Sequence, residues 1–166
     1  MSRCLQSYRE DPNSILMSLL QSGLGLSSIL SGALHVPRHI FIAKDLRAPC
    51  PCPCAIGTLT ETNLVYMDES VIARQQWPYR ELRAYIEREI QARRAEISRL
   101  RQTHRSPHEL PDLRGRNVLF VNDGTASSAS LIASIESFRL LGAKRIVLAL
   151  PDSIRIGGDI DRPRVA

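Results

Sequence analysis

Ten consecutive residues, Val121-Asn122-Asp123-Gly124-Thr125-Ala126-Ser127-Ser128-Ala129-Ser130, combine small side chains, hydroxyls and a carboxylate in a way that suits phosphate binding. Gly124, Ala126 and Ala129 let a backbone approach an anion closely, while Thr125, Ser127, Ser128 and Ser130 add hydroxyl donors without bulk. If the segment joins a strand to a helix, its N–H groups gather at the positive end of the helix, where an anion is held without a lysine. Asn122 and Asp123 then stand at the rim. A carboxylate repels phosphate, so its useful partner is a neutral hydroxyl of the same ligand, such as a ribose hydroxyl. The loop therefore suits a sugar phosphate better than free phosphate. The plain alternative is a strand-to-helix turn in which Asp123 or Ser127 caps the helix. No Gly-Lys-Ser/Thr element and no Gly-x-Gly-x-x-Gly follows a strand to indicate a common nucleotide motif.

The elements that must position this loop are legible as alternating strands and helices. Residues 14–20, SILMSLL, form an apolar run that ends at Ser22-Gly23, as a buried strand entering a turn would. Residues 24–34 carry Leu26, Ile29, Leu30, Ala33 and Leu34 at helical spacing, with Pro37 just beyond. Residues 39–43 predict the next strand, which completes a βαβ unit. Residues 55–60 and 64–67 flank Glu61-Thr62-Asn63 and predict a hairpin. Residues 78–104 predict a long helix with Leu82, Ile86, Ile90, Ile97 and Leu100 on one side, and its arginines read as a solvated face. A Pro-containing connector over residues 106–116 leads to the apolar strand 118–121. Leu131, Ile132, Ile135 and Phe138 mark a helix that Gly142 terminates, and residues 146–150 complete a second βαβ unit. The expected architecture is α/β, a parallel sheet with helices on both faces, with the hairpin and long helix inserted between the two βαβ units. Residues 1–151 are expected to form this domain and residues 152–166 a tail.

Composition narrows the classes. At 166 residues and 43% apolar, the chain can bury one core. A net charge of +5 favours anionic partners, but the excess is interleaved with acids along a helix, which argues against nucleic acid. Cys50, Cys52 and Cys54 alternate with prolines, a spacing that suits neither disulfides among them nor a four-ligand zinc site, so no metal held by the protein is expected. The uncharged stretch 14–34 is diluted by serines, Gln21 and glycines and is preceded by Glu10 and Asp11, which argues against a membrane span or leader and for a cytoplasmic protein. Self-association is compatible with this composition.

VLFVNDGTASSAS resembles the diphosphate-sugar motif of type I phosphoribosyltransferases: an apolar run, two acids, Gly, a small-residue loop and a helix. Residues 19–49 are similar to the first loop, helix, second strand and following turn of a bacterial group of predicted phosphoribosyltransferases, and Asp112-Leu113-Arg114-Gly115-Arg116 to its lead-in to the motif strand. The resemblance runs over residues 15–151 and implies a phosphoribosyltransferase-like fold. It implies binding of phosphoribosyl diphosphate with Mg²⁺ carried on the diphosphate, transfer to an acceptor such as a nitrogenous base, and a place in nucleotide metabolism.

By the same resemblance, Asp123 is the second acid of the motif, the candidate catalytic residue that orients the ribose, and Asn122 takes the place of the first acid. Residues 124–130 would hold the phosphate, with Ser127, Ser128 and Ser130 where the family has Thr, Gly and Thr. Leu20-Gln21-Ser22-Gly23 stands where the family often has Pro-Arg-Gly-Gly, so Gln21, Ser22 and Gly23 would face the diphosphate without an arginine's charge. Lys44 matches a basic position of the group, followed by Asp45 rather than a second base. Restoring the family residue, by Asn122→Asp or Gln21→Arg, is expected to strengthen Mg²⁺-dependent binding. Two functions follow: an enzyme transferring the phosphoribosyl group, or a catalytically impaired module of the same fold that binds sugar phosphates or regulates.

Overall fold

Hydropathy dictates the centre of the molecule. In the computed structural model, which describes residues 2–48, 54–74, 79–105 and 109–151, strands β1 (Ser14–Leu19) and β6 (Asn117–Val121) lie side by side. Between and around them come α1 (Leu24–Leu34), β2 (Arg38–Phe41), β3 (Ala43–Arg47), β4 (Ala55–Thr60), β5 (Val65–Met67), α2 (Glu69–Arg74) and α3 (Tyr79–Arg105), and after them α4 (Ser128–Leu140) and β7 (Arg145–Ala149). Cys50, Cys52, the expected tail and part of the connector before β6 lie outside the described residues; Cys54 is half-buried.

The chain divides into two compact units, residues 1–41, 110–128 and 138–166, and residues 42–109 with 129–137. The first holds a four-stranded sheet of order β2-β1-β6-β7, parallel throughout. Every residue of β1 is buried, as a strand covered on both faces requires. Leu16 and its register partner Leu119, with Val121, pack with Leu30 and Leu34 of α1. The alternate residues point the other way, where Phe138 meets Phe41 and Phe120 edge-on at centroid distances of 4.8 and 5.2 Å. Helices thus cover both faces of this sheet, as expected.

Two details of α1 differ from expectation. Ile29 is 71% exposed and Ala33 is exposed, because the buried side is centred on Ser27, Leu30 and Leu34. Ser27 tolerates burial by bonding Ser18 Oγ at 3.0 Å and donating to the Leu24 carbonyl at 2.9 Å. Gly142 has φ 81, as a left-handed helix stop requires, and its N–H donates to the Arg139 carbonyl.

The second unit holds an antiparallel sheet of order β3-β4-β5. The expected hairpin is β4 and β5, turning at Asn63 with φ 64. Strand β3 and helix α2 are additions to the expected elements. Leu82 and Ile97 of α3 are buried, Ile86, Ile90 and Leu100 half-buried, and Arg88 and Arg99 exposed. No helix among the described residues is long and apolar enough to cross a membrane.

Candidate functional site

The chain leaves β1 toward β2 on one side and leaves β6 toward β7 on the other, so the carboxyl ends of β1 and β6 form a topological switch point. Two loops meet there, residues 20–23 after β1 and residues 122–127 after β6. They are joined by specific bonds. The Gly23 N–H donates to Asp123 Oδ2 at 3.0 Å, and Asn122 Nδ2 donates to Ser22 Oγ at 2.8 Å. Gly23 sits at φ 89, and a Cβ there would lie 2.7 Å from the Val121 carbonyl oxygen. Only glycine permits this approach.

Asp123, Gly124 and Thr125 are exposed, Ala126, Ser127 and Ser128 half-buried, and α4 begins at Ser128. Asp123 Oδ1 accepts from the Thr125 N–H at 3.0 Å and from Thr125 Oγ1 at 2.6 Å. Burial alone would raise the Asp123 carboxyl. The hydrogen bonds from Thr125 and from the Gly23 N–H outweigh it and hold the group below the ordinary Asp range, so it is an anion at neutral pH. Gly124 has φ 90, and its N–H donates to Asn122 Oδ1 at 2.7 Å.

Asn122, expected at the rim, is fully buried. Its amide bridges the two loops from beneath, so a carboxylate restored there would be buried, without the donor that Ser22 receives. Ser22 and Gly23 are also buried, while Gln21 is exposed and open to a ligand. Ala129 and Ser130 are buried, and the Ser130 hydroxyl donates to Asp45 Oδ1 at 2.7 Å. Lys44 lies in the second unit, buried, with Nζ 2.7 Å from Glu96 Oε1. Burial would raise the Glu96 carboxyl, but Lys44 and Arg93 hold it below the ordinary Glu range. The exposed or half-buried members of the expected set are therefore Gln21 and residues 123–128.

Glu61 reads in the sequence only as part of a turn. Its side chain is 3% exposed, receives both Nη1 and Nη2 of Arg105, and accepts the Ile42 N–H at 2.8 Å. No local pattern announces a pair separated by 44 positions. No three His, Cys, Asp or Glu side chains among the described residues come together to hold a metal ion.

No family model matches the chain. Over 137 residues it is 22% identical to two Mycobacterium tuberculosis proteins provisionally named phosphoribosyl transferase, a match over 82% of this chain. The chain spans about a third (30%) of the length of these curated relatives. A crystal structure of a protein from Thermus thermophilus has the same fold, with TM-score 0.63 and 20% identity over 90% of this chain and 69% of that one. The chain is thus related, distantly and in part, to phosphoribosyltransferase-like proteins.

Proposed function

We propose that the chain binds phosphoribosyl diphosphate at the ends of β1 and β6 and transfers its phosphoribosyl group to an acceptor, such as a nitrogenous base, in the nucleotide metabolism of the cytoplasm. The observation that carries this reading is the exposed run Asp123-Gly124-Thr125 leading into α4 at a topological switch point. Residues 124–128 offer the 5-phosphate a helix N-terminus and hydroxyls. Asp123, held as an anion, takes ribose hydroxyls and faces the positive charge that develops on the sugar. Gln21 donates to the departing diphosphate. Mg²⁺ carried on that diphosphate would screen its charge. The bond from the sugar's C1 to the diphosphate oxygen breaks as a bond from the acceptor nitrogen forms, and the acceptor's proton passes to solvent.

A second reading, a module that binds the sugar phosphate without turnover, is favoured by Asn122, a buried amide where the family resemblance places an acid, so that Asp123 is the one carboxylate of the pair. Calorimetric titration with phosphoribosyl diphosphate and Mg²⁺, followed by an assay for diphosphate release with candidate bases, separates the two. Binding with release supports the enzyme; binding without release selects the module. Absence of binding reduces the loop to a helix cap.

A further inference from the structure

Loop 20–23 on its own meets a diphosphate poorly. The N–H groups of Leu20 and Ser22 donate to the carbonyls of Phe41 and Leu19, and that of Gly23 donates to Asp123. Neither residues 20–28 nor residues 122–128 contain a lysine or an arginine, and Asp123 adds a negative charge at the rim. A charged leaving group is held most firmly by charge-assisted bonds, so its cation has to come from another element. Strand β2 brings one. Arg38 opens that strand as the register partner of Leu16. Partners in a parallel pair point to the same face of the sheet, and Leu16 packs with Leu30 and Leu34, so Arg38 lies on the face that α1 covers. There it is exposed, and its Nη1 donates to the Leu24 carbonyl at 3.4 Å, at the first residue of α1 and directly after Gly23. Every residue of this arrangement belongs to the first unit.

We propose that Arg38 is the cation of the diphosphate subsite: its guanidinium reaches from β2 past the start of α1 to the charge that Gln21 meets with a neutral amide. The inference rests on the proposed function and adds to it a binding residue on an element outside both loops. Arg9 and Arg114 of the same unit pair with Glu10 and Asp112, whereas among the described residues no carboxylate pairs with Arg38. Its bond to Leu24 is longer than the roughly 3 Å usual for N–H···O and engages one nitrogen, so the guanidinium can turn the others to a phosphate without breaking an ion pair. A planar, charged fork matches two phosphate oxygens at once, which the amide of Gln21 does not. Two consequences follow from place and charge. The contact falls on the diphosphate and spares the ribose and 5-phosphate, which lie with residues 123–128, and it weakens with salt because the guanidinium is exposed.

The test is calorimetric titration of the full chain with three probes: inorganic diphosphate with Mg²⁺, phosphoribosyl diphosphate with Mg²⁺, and ribose 5-phosphate. Arg38→Ala, and Arg38→Gln, which keeps a neutral donor on much of the stem, should weaken both diphosphates about tenfold and ribose 5-phosphate less than about twofold. Arg38→Lys, which keeps the charge and loses the fork, should fall between wild type and Arg38→Ala. Arg9 stands beside the other end of α1, where the Glu10 N–H meets the Leu34 carbonyl, so Arg9→Ala removes the same charge and should change none of the three affinities. Raising the salt concentration should narrow the gap between wild type and Arg38→Ala. Diphosphate affinity unchanged in Arg38→Ala and Arg38→Gln, or an equal loss in Arg9→Ala or for ribose 5-phosphate, overturns the inference and leaves the proposed function standing. Arg38-dependent binding of inorganic diphosphate by a protein that takes neither sugar phosphate supports the cation at Arg38 and overturns the proposed function. Wild type that binds none of the three overturns both.

Discussion

The two units place charged groups differently, although both bury polar ones. In the first, β1 and β6 are packed by Leu16, Leu119, Val121 and Phe120, and the charged Asp123 is left exposed at a strand end. In the second, charge goes inward: Glu61 meets Arg105, Lys44 meets Glu96, and Asp45 takes two buried hydroxyls. The same residue types therefore do different work. Glu61, enclosed together with its partners, holds the fold, whereas Asp123, although it accepts from the buried Gly23 N–H, stands exposed at a strand end. Exposure, more than composition, sets the candidate site apart.

The comparison breaks most severely at Arg105. Arg105→Ala leaves Glu61 buried without its main partner and should cost about 3–5 kcal/mol in urea unfolding. Gly23→Ala should follow at about 2–4 kcal/mol, because a Cβ meets the Val121 carbonyl oxygen and φ 89 is strained for alanine. Asn122→Asp, which the family resemblance predicts to improve binding, should instead destabilise by about 1–3 kcal/mol, since the position is fully buried and Ser22 loses its donor. At the exposed carboxylate the effect moves from folding to ligand: Asp123→Ala should weaken phosphoribosyl diphosphate by about 1–3 kcal/mol in calorimetry and inorganic phosphate by less.

The smallest effect is on pH dependence. The Asp123 carboxyl is held below its ordinary value, so its contribution to stability is present above that value and is lost as pH falls through the lowered folded one. Asp123→Asn should flatten the acid limb of the stability curve below about pH 4, measured by thermal unfolding at a series of pH values.

The four-stranded sheet was legible because its strands are apolar runs ended by Gly or polar residues, and parallel strands buried on both faces need such runs. Strand β3 was hidden because Ala43-Lys44-Asp45-Leu46-Arg47 reads as charged; Lys44 tolerates burial through its pairing with Glu96, on a helix far along the chain. Helix α2, with six residues, is too short to show a period. At the site, the loop and its glycine were visible, and so was Asp123. The burial of Asn122 was not, since it depends on Ser22 across 100 positions, and nothing near Ser130 announces that its hydroxyl turns to Asp45.

The pairing of β1 with β6 has a consequence for how the chain is made. Strand β1 can pair with β2 as soon as that strand emerges, but its other edge waits for β6, about 100 residues later, as the Gly23–Asp123 and Ser22–Asn122 bonds also record. At ordinary rates of synthesis that interval is roughly 5–20 s. Throughout it an apolar strand edge stands open next to the ribosome, a template for pairing with other nascent chains. The contact that builds the candidate site is thus also the one that closes the open edge of β1, and expression at lower temperature or with a chaperone that covers strands should raise the yield of folded chain.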